Sequence, residues 1–324
     1  MEGYYTPLSA FLSQHFDHKV QKISINAGFT CPNRDGTRGR GGCTYCNNQS
    51  FNPDYELKDE SVTAQLERGK SFFRRAQQKR AEKRGKLLDS DAHSLKYLAY
   101  FQAYTNTYGE LEHLRSLYEE ALSVDDVVGL VVGTRPDCMP DTLLDYFEEL
   151  ARHHFVHIEY GVESCNDALL QRINRGHDFA SSVDAITRTA ARGLPVGAHL
   201  ILGLPGETRE DTLAQAAALN ALPLATLKLH QLQIVRGTAM CVEYQRALRA
   251  GNSDFRLYTP EEYVTLVVDF LERLRPDLVV ERFTSSSPRE LLIAPDWGLK
   301  NYEFVALVNR EFARRGSRQG VLCR

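Results

Sequence analysis

The chain has no long apolar run. Nothing in its 324 residues approaches the roughly 18 consecutive apolar positions of a membrane-spanning helix. It also lacks the basic start and apolar core of a secretory leader between Met1 and Leu8. Its cysteine count is odd, at seven, where a secreted disulfide framework is normally even. It has little net charge: 39 Lys and Arg against 42 Asp and Glu leave −3. That balance neither demands nor excludes a nucleic-acid partner, because local patches matter more than the sum. There is no internal repeat and no low-complexity linker. These absences predict a cytoplasmic, non-membrane protein in a reducing compartment, where clustered cysteines bind metal or do redox chemistry.

What is present is alternation. A chain of this size suits one barrel-sized domain or two ordinary ones. Strand patterns at Val20–Ala27, Leu95–Tyr104, Val127–Val132, Val156–Val162, Pro195–Leu202 and Thr226–Val235 are separated by helical ones. The helices are read at Asp59–Arg84, Glu110–Leu122, Pro140–His153, Phe179–Arg192 and Thr208–Leu222. Strand–helix alternation implies a parallel sheet. The predicted fold class is α/β: a partial (β/α)6 TIM-like barrel over residues 1–238 with a C-terminal α/β extension over 239–324 packed on it. The extension holds a helix starting at Pro260, a strand at Leu278–Val280 and a last helix at Tyr302–Arg315. The stretch from Gln77 to Ser90 reads as the floppiest insertion.

The loop after the first predicted strand carries three of the seven cysteines as Cys31-x11-Cys43-x2-Cys46. In a barrel, chemistry collects on loops at the C-terminal ends of strands. An iron–sulfur cube with four cysteine ligands mainly passes electrons, whereas three thiolates leave one iron open. The competing reading is a zinc site completed by a distant ligand such as His15 or His18. The scattered Cys138, Cys165, Cys241 and Cys323 read as small packed residues. No second C-x2-C suggests an auxiliary cluster.

The cysteine loop resembles that of radical S-adenosylmethionine (SAM) enzymes, whose common motif is C-x3-C-x2-C. The longer first gap here is similar to that in relatives of the elongator catalytic subunit. His157 to Ser164 followed by Asn174-Arg175-Gly176-His177, and His199 to Thr208, are similar to fourth- and fifth-strand motifs of the elongator-type enzymes and oxygen-independent coproporphyrinogen oxidases. Thr30 to Thr37, Phe101 to Thr107, Gly133 to Asp137 and Pro288 to Pro295 resemble hallmarks of the YhcC/YtqA (MnmL) type group. That likeness runs from about Tyr5 to Gly320.

The resemblance implies a 4Fe–4S cluster on Cys31, Cys43 and Cys46, and reductive cleavage of SAM to a 5′-deoxyadenosyl radical. It implies a flavodoxin or ferredoxin-type electron donor. Tyr104, Thr105 and Asn106 are the expected contacts to the methionyl end of SAM. Glu159 and Ser164 are expected at the ribose, with a buried ion pair as the alternative for Glu159. The turn from Gly203 to Glu207 is expected at the adenine. Arg135, His199 and Arg236 are the catalytic candidates, and His230, Gln233 and Arg282 also fall near strand ends. His199 stands where the family often has Asp.

The substrate implied is tRNA, with 5-carboxymethylaminomethyluridine at the wobble position converted to 5-aminomethyluridine. An arginine such as Arg135, Arg236 or Arg282 would then pair with the departing carboxylate. Two basic stretches fit an RNA partner. Arg68 to Lys86 has nine Lys and Arg against Glu82, and the tail from Arg310 to Arg324 is rich in arginine. Radical oxidation of a small molecule, and a non-catalytic zinc-stabilised RNA-binding protein, remain the alternatives.

Overall fold

The computed structural model describes residues 3–48, 60–83, 95–251 and 254–323. Its main element is a sheet of seven strands, all paired in parallel. In sheet order these are β1 (Val20–Ile25), β2 (Lys96–Phe101), β3 (Val127–Thr134), β4 (Phe155–Glu163), β5 (Val196–Leu202), β6 (Thr226–Gln231) and β8 (Val279–Arg282). The central strands read as apolar runs because both faces are covered. In β2, five of six residues are buried.

Helices α2 (Val62–Lys83), α3 (Leu111–Leu122), α4 (Asp141–Leu150), α6 (Phe179–Ala191) and α7 (Arg209–Asn220) connect successive strands, with the short α5 (Asp167–Arg172) after β4. Their starts follow from capping chemistry. Asp178 accepts from the Ser181 N–H at 2.9 Å, and Thr208 and Asp211 form a reciprocal capping box. Helix α2 lies so close on β1 that a Cβ at Gly69 would meet Ile23 at 2.4 Å, which only glycine tolerates.

The six predicted strands are all present, and the fold is the expected α/β one. Two strands differ most from their predicted bounds. The second strand ends at Phe101, and Tyr104 turns the chain with a left-handed backbone (φ 63°). The last predicted strand is interrupted, giving β6 and then β7 (Ile234–Val235), which pairs antiparallel with β9 (Leu292–Ala294). Beyond residue 238 the chain adds α8 (Ala239–Ala250), α9 (Pro260–Arg273) and α10 (Asn301–Arg315). This region does more than pack on the barrel: its strand β8 pairs with β6 and becomes the seventh strand of the sheet. The N-terminal segment docks on that edge. Pro7 bridges Val280, and α1 (Leu8–His15) follows. Gln77 to Lys83, expected to be loose, continues α2; residues 84–90 lie outside the described part.

Candidate active site

A cavity of about 590 Å³ fills the inside of the curled sheet, and Cys31, Cys43 and Cys46 all line it. The loop that brings them there is tied down by its own polar residues. Asn33 Nδ2 donates to the Asn174 carbonyl at 2.7 Å, and Asn174 Nδ2 donates back to the Gly42 carbonyl at 2.8 Å. Gly39 passes so close to Asn33 that a Cβ would sit 2.1 Å from Oδ1. The Thr44 N–H donates to Ile173, and the Met240 N–H donates to the Thr44 carbonyl.

The thiols sit in a field of donors. Cys43 is buried and accepts from Arg175 Nη1 at 3.6 Å and Asn33 Nδ2 at 3.7 Å. Burial, and then the neighbouring Cys43, push the Cys46 thiol up to about 11, with Arg34 pulling the other way. Two cavity residues hold left-handed backbone without being glycine: Tyr104, and Glu163 with φ 68°. Such strain gathers at ligand sites.

Deeper in the cavity lies an ionic layer. Glu159 on β4 accepts from Lys22 of β1 at 2.8 Å, from Lys228 of β6 at 2.6 Å and from His199 of β5 at 3.0 Å. Glu281 of β8 accepts from Lys22 at 2.8 Å and pairs with Lys228 at 3.1 Å. Lys228 also donates to the Tyr100 hydroxyl at 3.0 Å. Burial works to raise the Glu159 pKa, but Lys22 and Lys228, then His199, outweigh it and hold the carboxylate well below its usual range. The tautomer of His199 that donates Nε2–H to Glu159 leaves Nδ1 as an acceptor.

The structure sorts the sequence candidates. The three cysteines, Tyr104, Thr105, Arg135, Glu159 and His199 line the cavity together with His230, Gln233 and Arg282. Asn106 does not: its amide donates to the Phe101 and Gly133 carbonyls and shapes the turn. Ser164 is fully buried and bonds to Gln215 and the Asn166 N–H. Glu207 folds back on its own turn, accepting from the Gly203 and Leu204 N–H groups, and desolvation lifts its carboxyl to about 7. Neither Ser164, Gly203 nor Glu207 is a cavity wall.

Both Glu159 oxygens are engaged within the chain, so it centres an ion-pair layer on the cavity wall. Arg135 is also committed, to Asp137 at 2.9 Å and to the Arg175 carbonyl at 2.9 Å. Arg236 stands exposed outside the cavity walls, donating to the Glu290 carbonyl. Sequence reasoning missed Lys22, Lys228 and Glu281. The available signal was a lysine held between two leucines in the core strand TLKLHQ.

The arrangement discriminates between metal groups. Among the described residues, no three His, Cys, Asp or Glu side chains converge as one ion would require. His15 packs its ring on Phe11 and Phe155, and His18 pairs with Asp17, so neither completes a zinc site with the thiols. An iron–sulfur cube instead spreads its thiolates over separate corners. Three thiols that share one cavity, with cationic and amide donors at the sulfurs, fit that group. The cavity volume also falls in the range of cofactor pockets, about 300–1,000 Å³.

Comparison with known proteins agrees. The model of the Radical SAM superfamily matches residues 30–216, and that of the Radical_SAM C-terminal domain matches 224–314. The chain is 36% identical over 319 residues to the uncharacterized protein YtqA of Bacillus subtilis (strain 168), covering 98% of this chain and 92% of that one. It is 35% identical to protein YhcC of Escherichia coli (strain K12), covering 97% and 94%. It is 23% identical over 216 residues to a tRNA uridine(34) acetyltransferase of Methanocaldococcus infernus, covering 64% of this chain and 38% of that one. The solved structure of archaeal M. infernus Elp3 with an N-terminal deletion superposes with TM-score 0.62 at 18% identity, covering 93% and 64%.

Proposed function

We propose a tRNA-modifying role for this chain, which belongs to the radical SAM superfamily. Members of that family are enzymes that use a 4Fe–4S cluster and SAM. Cys31, Cys43 and Cys46 would hold the cluster, with Arg175 and Asn33 donating toward the Cys43 sulfur. When bound, the reduced cluster and SAM supply a 5′-deoxyadenosyl radical that abstracts an unactivated hydrogen. The observation that carries the reading is the three-thiol cavity itself, whose walls include six lysines and arginines against three glutamates. That excess of positive charge suits thiolates and an anionic substrate together.

Within this reading the chain's own residues position and transfer protons. Tyr104 and Thr105 offer polar atoms beside the thiol loop. His199, oriented by Glu159, presents Nδ1 as an acceptor for the proton of a substrate amine. The substrate proposed is wobble 5-carboxymethylaminomethyluridine. The carboxymethyl methylene beside its amine would lose a hydrogen atom and then one electron to a flavodoxin- or ferredoxin-type acceptor, and the amine proton would pass to His199. Hydrolysis of the resulting imine by one water would release glyoxylate and leave 5-aminomethyluridine. Support comes from the likeness to a relative named for tRNA uridine(34) and from a basic helix surface.

Of the two basic stretches, the tail is partly paired: Arg314 and Arg315 pair with Glu311, and Arg315 also with Asp269, while Arg310 and Arg318 stay exposed and Arg324 lies outside the described residues. On α2, Lys70 is buried against Glu67, and Arg74 pairs with Asp126 at 3.5 Å. Lys79, Arg80 and Lys83 remain exposed at its far end. Changing these three to Gln is expected to weaken tRNA binding and to lower the salt slope by about 0.9 for each phosphate no longer neutralised. SAM cleavage without substrate should persist. An unchanged slope would remove this helix end from the RNA surface. The function itself is tested by comparing modified nucleosides in tRNA from cells with and without the gene. Accumulated 5-carboxymethylaminomethyluridine is expected in its absence, and unchanged wobble nucleosides would sink the proposal.

A further inference from the structure

The C-terminal ends of β6 and β8 and the segments that follow them carry polar groups that neither the thiol loop nor the ionic layer uses. Arg282, at the end of β8, lines the cavity and is exposed to it, with no carboxylate in ion-pair distance among the described residues. It lies close enough to His230 and Lys228 to act electrostatically on both. The segment Ser285-Ser286-Ser287 follows immediately, and all three serines line the same cavity.

This segment is held rigidly. Gln231 clamps the Ser285 backbone at both ends, accepting from its N–H and donating to its carbonyl at 3.2 Å. The Ser285 hydroxyl bonds His230 Nδ1 at 2.8 Å. Ser287 donates to Gln233 Oε1 at 2.8 Å, which leaves the Gln233 amide N–H groups as donors. Ser286, between two anchored neighbours, is exposed to the cavity. A guanidinium, an amide donor and a serine hydroxyl on a clamped backbone make a seat for an anion.

We infer that Arg282, Ser286 and Gln233 form a carboxylate-binding subsite that fixes the acidic end of the substrate. Its assignment to the carboxymethyl group of the modified base rests on the proposed function. Arg135 and Arg236 are excluded from this role: the first is locked to Asp137, and the second lies outside the cavity.

The test uses the anaerobically reconstituted full chain and two anticodon stem-loop RNAs that differ only at the wobble base. One carries 5-carboxymethylaminomethyluridine and the other 5-aminomethyluridine. Wild type is expected to prefer the first, and Arg282→Gln to lose about 10- to 100-fold for that RNA alone, the size of a charge-assisted pair. Ser286→Ala should show a smaller loss of the same kind. Equal losses for both RNAs would mean that Arg282 meets backbone phosphate, and no loss would mean that it meets no anion; either overturns the subsite. If wild type binds neither RNA, the tRNA reading fails, and the subsite is read separately from labelling of Arg282 by phenylglyoxal. Protection by acetate in wild type, diminished in Ser286→Ala, then supports it. Labelling indifferent to acetate overturns it.

Discussion

Protein carrying Cys43→Ala is expected to emerge from anaerobic reconstitution with iron and sulfide colourless and without a 4Fe–4S cluster. Cys43 is the most enclosed of the three thiols, and the Arg175 guanidinium and the Asn33 amide both point at its sulfur. A water molecule in its place would leave those donors facing a weaker acceptor and one corner of the cube unligated. Cys31→Ala and Cys46→Ala should behave alike, since a cube with two ligands has no stable seat. The informative control is Cys138. It is buried near the same loop, but burial first, and then Asp137, push its thiol up to about 12. It is also not among the cavity walls that the other three thiols share, so Cys138→Ala should keep its iron. Iron retained without Cys43 but lost without Cys138 would overturn the ligand assignment.

Much of this was readable in the sequence, and the gaps have physical causes. The six barrel strands declare themselves because apolar runs bounded by helical patterns leave little alternative. The joining of β8 to β6 does not, because pairing across some fifty intervening residues leaves no local mark. In β1 the alternation was visible but its meaning was not. Ile23 and Ile25 are buried under α2, and the opposite face, with Lys22 and Ser24, lines the cavity. Hydropathy cannot distinguish a polar cavity from bulk solvent, so nothing marked Lys22 as a cavity residue. Glu159 was found as a site residue through its motif, but its partners come from three other strands, beyond the reach of any local pattern. The turn at Gly203 to Glu207 was read toward a ligand. There the glutamate carboxylate instead fills the space beneath its own backbone.

The ionic layer leads to the second large effect. Lys22 and Glu281 stand on the first and last strands of the open sheet, and Lys228 and Glu159 lie between them. Two ammonium groups and two carboxylates therefore tie the edges together from inside, as a balanced set. Lys228→Met is expected to destabilise the protein by about 3–5 kcal/mol, because it leaves two buried carboxylates sharing one lysine. The pH dependence should change with it. In wild type, Glu159 and Glu281 are held below their ordinary values. They contribute stability above the unfolded carboxyl pKa of about 4.3, and it is lost as pH falls through their folded values. In Lys228→Met, one carboxyl must keep a proton, so its folded pKa rises above the unfolded one. Stability from that group is then present at low pH and lost as pH rises, so the deficit should be larger at pH 8 than at pH 5. Urea midpoints across that range would measure it. Lys228→Met combined with Glu281→Gln restores one lysine to one carboxylate and should recover most of the loss, with the pH slope flattened. A double variant no more stable than Lys228→Met would show that packing of the lysine stem, rather than balance of buried charge, holds this layer together.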